Sequence, residues 1–210
     1  MKNSRDIVAI GVLGKDNLKS VQDLICDLPI DFPASVLVVL QVPAEVLKIE
    51  QILVKKTPLP FVWAREGQTI KKGCIYLGSS YTSLVTRPWG VLGLEPAMAN
   101  DQHHFAIARF FDSAAYVWGN RVIGVLLNSE NAFQAATLAS VKAAGGIAVI
   151  RDQGSIFSSS FCDGVDKDES HRLLPTTNIA NLLARLVEMP PSKIPTNLSF
   201  KMRNQKIYDC

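Results

Sequence analysis

The sequence has no apolar run as long as the roughly 18 residues of a membrane-spanning helix, so no span is expected. It also has no leader pattern. "MKNSRDIVAIG" carries charge on both sides of Arg5 and runs straight into a strand, without the apolar core and small-residue cleavage site of a signal peptide. Cysteine is scarce and dispersed: Cys26, Cys74, Cys162 and Cys210 show no C-x-x-C spacing. Reduced thiols and a cytoplasmic location are the expectation. Histidine is scarcer still, with three in the chain. His103 and His104 are adjacent, and neighbouring histidines seldom ligate one ion. No metal and no cofactor are expected. An excess of charge is missing from the body of the chain. The net +3 resides in residues 190–210, where Lys193, Lys201, Arg203 and Lys206 face only Asp209. A neutral body argues against a nucleic-acid-binding surface.

Two further motifs fall short. Gly11-x-x-Gly14 is too short for the dinucleotide fingerprint. "DGVDKDES" (163–170) lacks the acidic order of a calcium loop. Lys15, near a helix start, could hold an anion, but an exposed lysine on a tight turn is the simpler reading.

What is present is an alternation of strands and helices. The 210 residues suit one domain, placed at 1–189, with a basic C-terminal tail at 190–210. The apolar runs "IVAIG" (7–11), "ASVLVVLQVP" (34–43), "RVIGVLLN" (121–128) and "IAVIRD" (147–152) read as buried strands. Residues 59–67 read as a strand and turn, and the Gly-, Ser- and Pro-broken stretch 73–95 as hairpins. Helices are expected from Asn17 to Pro29, and over 44–56, 104–120, 132–146 and 176–189. In the 104–120 helix the expected apolar face is Phe105, Ala108, Phe110 or Phe111, Ala115 and Val117. Trp63, Trp89 and Trp118 are expected in core or hairpin packing. The fold class is α/β: a mainly parallel, doubly wound sheet, three-layered and Rossmann-like, with a small antiparallel hairpin region. Chemistry in such sheets sits beyond the carboxyl ends of the strands. That directs attention to residues 11–17, 40–43, 127–134 and 152–162.

At these places the sequence resembles a known family. "AREGQTIKKGCIYLGSS", "FFDSAAYVWGNRVIGVLL", "LASVKAAGGIAVIRDQGS" and "LLPTTNIANLLARLV" follow, in order and spacing, segments of the chemotaxis protein-glutamate methylesterases of the CheB type. The resemblance covers residues 6 to about 188 and implies the family's catalytic-domain fold. It also implies ester hydrolysis by a Ser-His-Asp triad, and here the residues depart from the pattern. The family's serine motif, G-A-S-T-G-G, corresponds to residues 11–16. Its serine falls on Leu13, or on Gly14 if a one-residue insertion lies earlier. The Q-H-M-P motif corresponds to residues 40–43 and puts Gln41 where the histidine belongs. The T-G-M-G-x-D-G motif corresponds to residues 128–134 and puts Phe133 where the aspartate belongs.

Leucine cannot attack a carbonyl, and glutamine has no titratable nitrogen to act as base. Phenylalanine can neither orient nor stabilise an imidazolium. Lys15 and Asp16 replace the small residues that let backbone N–H groups reach an oxyanion. No catalytic residue is therefore assigned. The expected cleft lining is Gly14, Lys15, Asn128, Ser155, Ser158, His103 and His104. The expectation is a catalytically degenerate domain that binds a protein partner or serves as a scaffold in bacterial chemotaxis-type signalling. The alternative is a hydrolase or small-ligand binder with relocated groups. It would draw on Ser158, Ser159 or Ser160, on His103 or His104, and on Asp101, Asp152 or Asp163. The first strand begins at Ile7, so the family's phosphorylated receiver domain is not expected ahead of it.

Overall fold

The computed structural model describes residues 5–13, 18–41, 57–78, 82–96, 103–127, 136–151, 171–174 and 176–188. Among them, strands β1 (Ile7–Leu13), β2 (Ser35–Gln41), β3 (Phe61–Trp63), β4 (Ile75–Leu77), β7 (Val122–Leu127), β8 (Ile147–Arg151) and β9 (His171–Leu174) form one sheet. Its order is β3-β4-β2-β1-β7-β8-β9, and every neighbouring pair is parallel. Strands β5 (Thr82–Arg87) and β6 (Val91–Pro96) make a separate antiparallel hairpin. The helices are α1 (Leu18–Cys26), α2 (His103–Trp118), α3 (Ala139–Ala143) and α4 (Thr176–Glu188).

Strand alternation divides the core. Val8, Ile10 and Val12 of β1 join Val21, Leu24 and Ile25 of α1 and Ile179 and Leu183 of α4 on one face. Ile7 and Ala9 join Ile107, Phe110, Phe111 and Ala114 of α2 and Val141 of α3 on the other. Both faces are covered, so the central strands are apolar throughout. Glycine sets how near the helices come. A Cβ on Gly11 would lie 2.8 Å from the Ile107 side chain and 3.1 Å from Phe111, so α2 seats directly on β1. The hairpin is tied to α2 by the Thr86 N–H, which donates to Ser113 Oγ at 3.0 Å, and by an ion pair between Arg109 and Glu95.

Several expectations change. Residues 75–77, read as part of a hairpin region, form β4 of the parallel sheet, paired with β2 and β3. Strand β9 was not expected. Its four residues, "HRLL", alternate too briefly to be told from loop. Within the described part of the expected 132–146 helix, Ala136 is helical, residues 137 and 138 are in a turn, and a regular helix follows at Ala139–Ala143. Gly145 closes it at φ 78°. On α2 the buried face is Ala106, Ile107, Phe110, Phe111, Ala114 and Ala115, while Phe105 is exposed. Trp118 is partly buried against the core, but Trp63 and Trp89 are exposed. The sequence marks bulk and polarity; it does not mark which side of a short strand or turn faces water. The expected helix at 44–56 and the tail at 190–210 lie outside the described residues.

Candidate functional site

Strand order reverses at β1, which lies between β2 and β7. The crevice beyond the carboxyl ends of β1 and its neighbours is where an open α/β sheet places a site. Register fixes what stands there. Leu13 is the parallel partner of Gln41, and one residue earlier Val12 pairs with Leu40 and with Leu127. Neighbouring parallel strands lie about 4.8 Å apart. The positions that the sequence resemblance gives to nucleophile and base are thus backbone neighbours on adjacent strands. The stretch 128–134, which carries the third position, begins just after Leu127, the β7 partner of Val12. Phe133 lies outside the described residues, as do Gly14, Lys15, Asn128, Ser155 and Ser158.

His103 and His104 form the first residues of α2. Ile107 of that helix sits against Gly11 near the carboxyl end of β1, and Trp118 ends the helix just before β7 begins. The first turn of α2 therefore lies toward the carboxyl edge. The helix backbone brings His103 and His104 to the same side of the sheet as Leu13 and Gln41. What the described part of this edge offers chemically is limited. Leu13 has no ionisable or nucleophilic atom, and the Gln41 amide has no group that titrates near neutral pH. Among the described residues no group of His, Cys, Asp or Glu is placed to hold a metal ion. Cys26 and Cys74 are not joined in a disulfide.

At the opposite, amino edge the described residues form a cluster of charge around one buried carboxylate. Asp6, just before β1, is 5% exposed. Arg121, just before β7, grips it with Nε on Oδ1 and a terminal nitrogen on Oδ2, both at 2.8 Å. Lys72 Nζ reaches the same Oδ2 at 2.9 Å. Burial pushes the Asp6 carboxyl up, but the hydrogen bonds and charges of Arg121 and Lys72 outweigh it and hold it below the usual carboxylate range. The Arg121 guanidinium also lies over the Trp118 ring, 4.8 Å from its centroid. The Asp6 carbonyl accepts the Ser35 N–H at 2.9 Å, which ties β2 to the same point. Sequence reading missed this cluster. Its only signal is an Asp directly ahead of one strand and an Arg directly ahead of another, and that becomes legible only once β1 and β7 are known to be neighbours.

Among the described residues, no helix is long and apolar enough to cross a membrane. Comparison with known proteins agrees with the topology. The sequence model of the family described as CheB methylesterase matches residues 8–183. The chain is 31% identical over 150 residues to protein-glutamate methylesterase/protein-glutamine glutaminase 3 of Burkholderia orbicola, and 28% identical over 152 residues to the corresponding protein of Mesorhizobium japonicum. These matches cover 71% and 72% of this chain and 44% of each relative, so the chain spans about half the length of the curated relatives it matches. The crystal structure of the Thermotoga maritima CheB methylesterase catalytic domain superposes with a TM-score of 0.70, covering 88% of this chain and all of that one. At 21% identity that likeness speaks for the fold. With the family model spanning most of the chain and the sheet order in place, this protein belongs to the CheB methylesterase family.

Proposed function

We propose that the chain is a CheB-like domain that has lost ester hydrolysis and acts as a protein-binding or scaffold module in a bacterial signalling assembly of the chemotaxis type. One observation carries this reading. The family framework is matched over residues 8–183, while the sequence resemblance puts Leu13 (or Gly14), Gln41 and Phe133 where the three triad members belong. Random drift across a 210-residue chain would not be expected to concentrate on the cooperating groups and spare the frame. Loss of one triad member already removes most of the catalysis, since the members act as a unit. With all three replaced, the site loses the means to form or resolve an acyl-enzyme.

The test is hydrolysis of p-nitrophenyl acetate and of a peptide carrying glutamate γ-methyl ester. The expected result is release at the buffer rate for both. A second reading, a hydrolase or small-ligand binder with relocated groups, draws on the placement of the first turn of α2 at the carboxyl edge. Turnover abolished by Ser158→Ala or His104→Ala would establish that reading and overturn the first.

A further inference from the structure

The hairpin tip carries a tryptophan that folding does not explain. Trp89 is 96% exposed and adopts φ 71°, ψ 9° between Pro88 and Gly90. Trp89 and Gly90 both take left-handed φ, 71° and 74°, a conformation that favours glycine or asparagine. Here the bulky residue takes the left-handed position, and its ring gains no burial in return. It is the sole described non-glycine residue with positive φ.

Its surroundings are knit to the amino edge. A Cβ on Gly90 would lie 2.9 Å from the Trp118 ring, the ring that carries Arg121 on its face. The Gly90 carbonyl accepts the Ile70 N–H at 3.0 Å, and exposed Lys71 and Lys72 follow directly. Arg87, on the other flank of the turn, pairs with Glu66 at 2.6 Å. The cations Lys71, Lys72, Arg87 and Arg121 thus outnumber the carboxylates Asp6 and Glu66, and Asp6 is buried beneath its partners.

We propose that this corner docks an acidic protein segment bearing an aliphatic or aromatic anchor that covers the Trp89 ring. Exposed tryptophan flanked by arginine is the composition that dominates protein interfaces, and the positive surplus selects an acidic partner. The surplus is too small for the alternatives. Tight nucleic-acid binding draws on roughly six to ten phosphate contacts, and polybasic membrane recognition on clusters of about four to eight Lys or Arg. The corner lies at the opposite end of β1 from Leu13, about 20 Å away at about 3.3 Å per residue. The proposal therefore holds whether or not the carboxyl edge hydrolyses anything.

The experiment uses the full chain labelled with 15N and three synthetic 12-residue peptides: Glu/Asp with Leu, the Gln/Asn isostere with the same Leu positions, and Lys with Leu. Trp89→Gly assigns the Trp89 indole resonance by its loss. It also relaxes the positive φ, so the variant should fold at least as well as the parent. The expected result is a saturable shift of the Trp89 indole by the acidic peptide, binding weakened at least about tenfold in Trp89→Gly and in Lys71→Glu, and little response to the other peptides. Failure of the acidic peptide to shift this resonance at about 1 mM overturns the proposal. So do equal binding by the neutral isostere, unchanged affinity in Trp89→Gly, and stronger binding of a DNA duplex or of phosphatidylserine vesicles.

Discussion

At the amino edge of the sheet, Asp6, Arg121, Lys72, Trp118 and Gly90 hold one another through charge, ring stacking and close backbone approach. At the carboxyl edge, the register partners Leu13 and Gln41 offer neither a charge nor a titratable group. Both edges belong to the same β1, β2 and β7. The difference teaches that the two edges answer to separate demands. The amino edge ties three strands together and can be read as stability. The carboxyl edge is where this architecture displays reactive groups. On the proposed reading, the family frame persists while the residues at its site change.

The strongest way to break this contrast is Asp6→Ala. It leaves Arg121 and Lys72 without the buried carboxylate they share. Breaking a buried pair costs about 3–5 kcal/mol, and the partial exposure of both cations lowers the expectation to about 2–3 kcal/mol, read by urea unfolding. A loss below about 0.5 kcal/mol would show that the cluster is decorative. Next is Gly146→Ala, whose Cβ would meet the Val122 carbonyl at 2.7 Å and the Val141 carbonyl at 2.9 Å. Backbone oxygens cannot rotate aside, so a loss of about 1–3 kcal/mol is expected. Gly124→Ala, which meets the flexible end of Leu138 at 2.6 Å, should cost less.

The pH response sharpens the same point. The Asp6 carboxyl sits lower in the folded protein than in the unfolded chain. Its contribution is therefore fully present above the unfolded value, near 3.9, and is lost as pH falls through the folded value. Wild-type stability should drop in acid more steeply than that of Asp6→Asn, in paired denaturation curves between neutral pH and about pH 3. Parallel curves would remove Asp6 from the account. The smallest effect, of opposite sign, is Trp89→Gly. It should raise stability by up to about 1 kcal/mol by relieving φ 71°.

Much of the frame was legible in the sequence, because a sheet covered on both faces writes itself as uninterrupted apolar runs. Residues 7–11, 34–43, 121–128 and 147–152 overlap β1, β2, β7 and β8. What escaped was non-local. Ile75–Leu77 resembles a hairpin arm until β2 is seen beside it, and His171–Leu174 is too short to show a period. The carboxyl edge was legible through the order of family segments, which set Leu13 and Gln41 at matching strand ends before their register was known. The amino-edge cluster was not, since Asp6 and Arg121 are 115 residues apart and nothing local joins them. Trp89 sits in "RPWG", where proline and glycine announce a turn but not the sign of φ at the residue between them.

The central claim is that no serine of this chain is activated as a nucleophile. Intact-mass spectrometry after incubation with a fluorophosphonate reads this directly, because a base-activated serine is phosphonylated wherever it lies. The account predicts unmodified protein, and the same result for Ser158→Ala. One phosphonyl group per chain, mapped to a single serine, would contradict it.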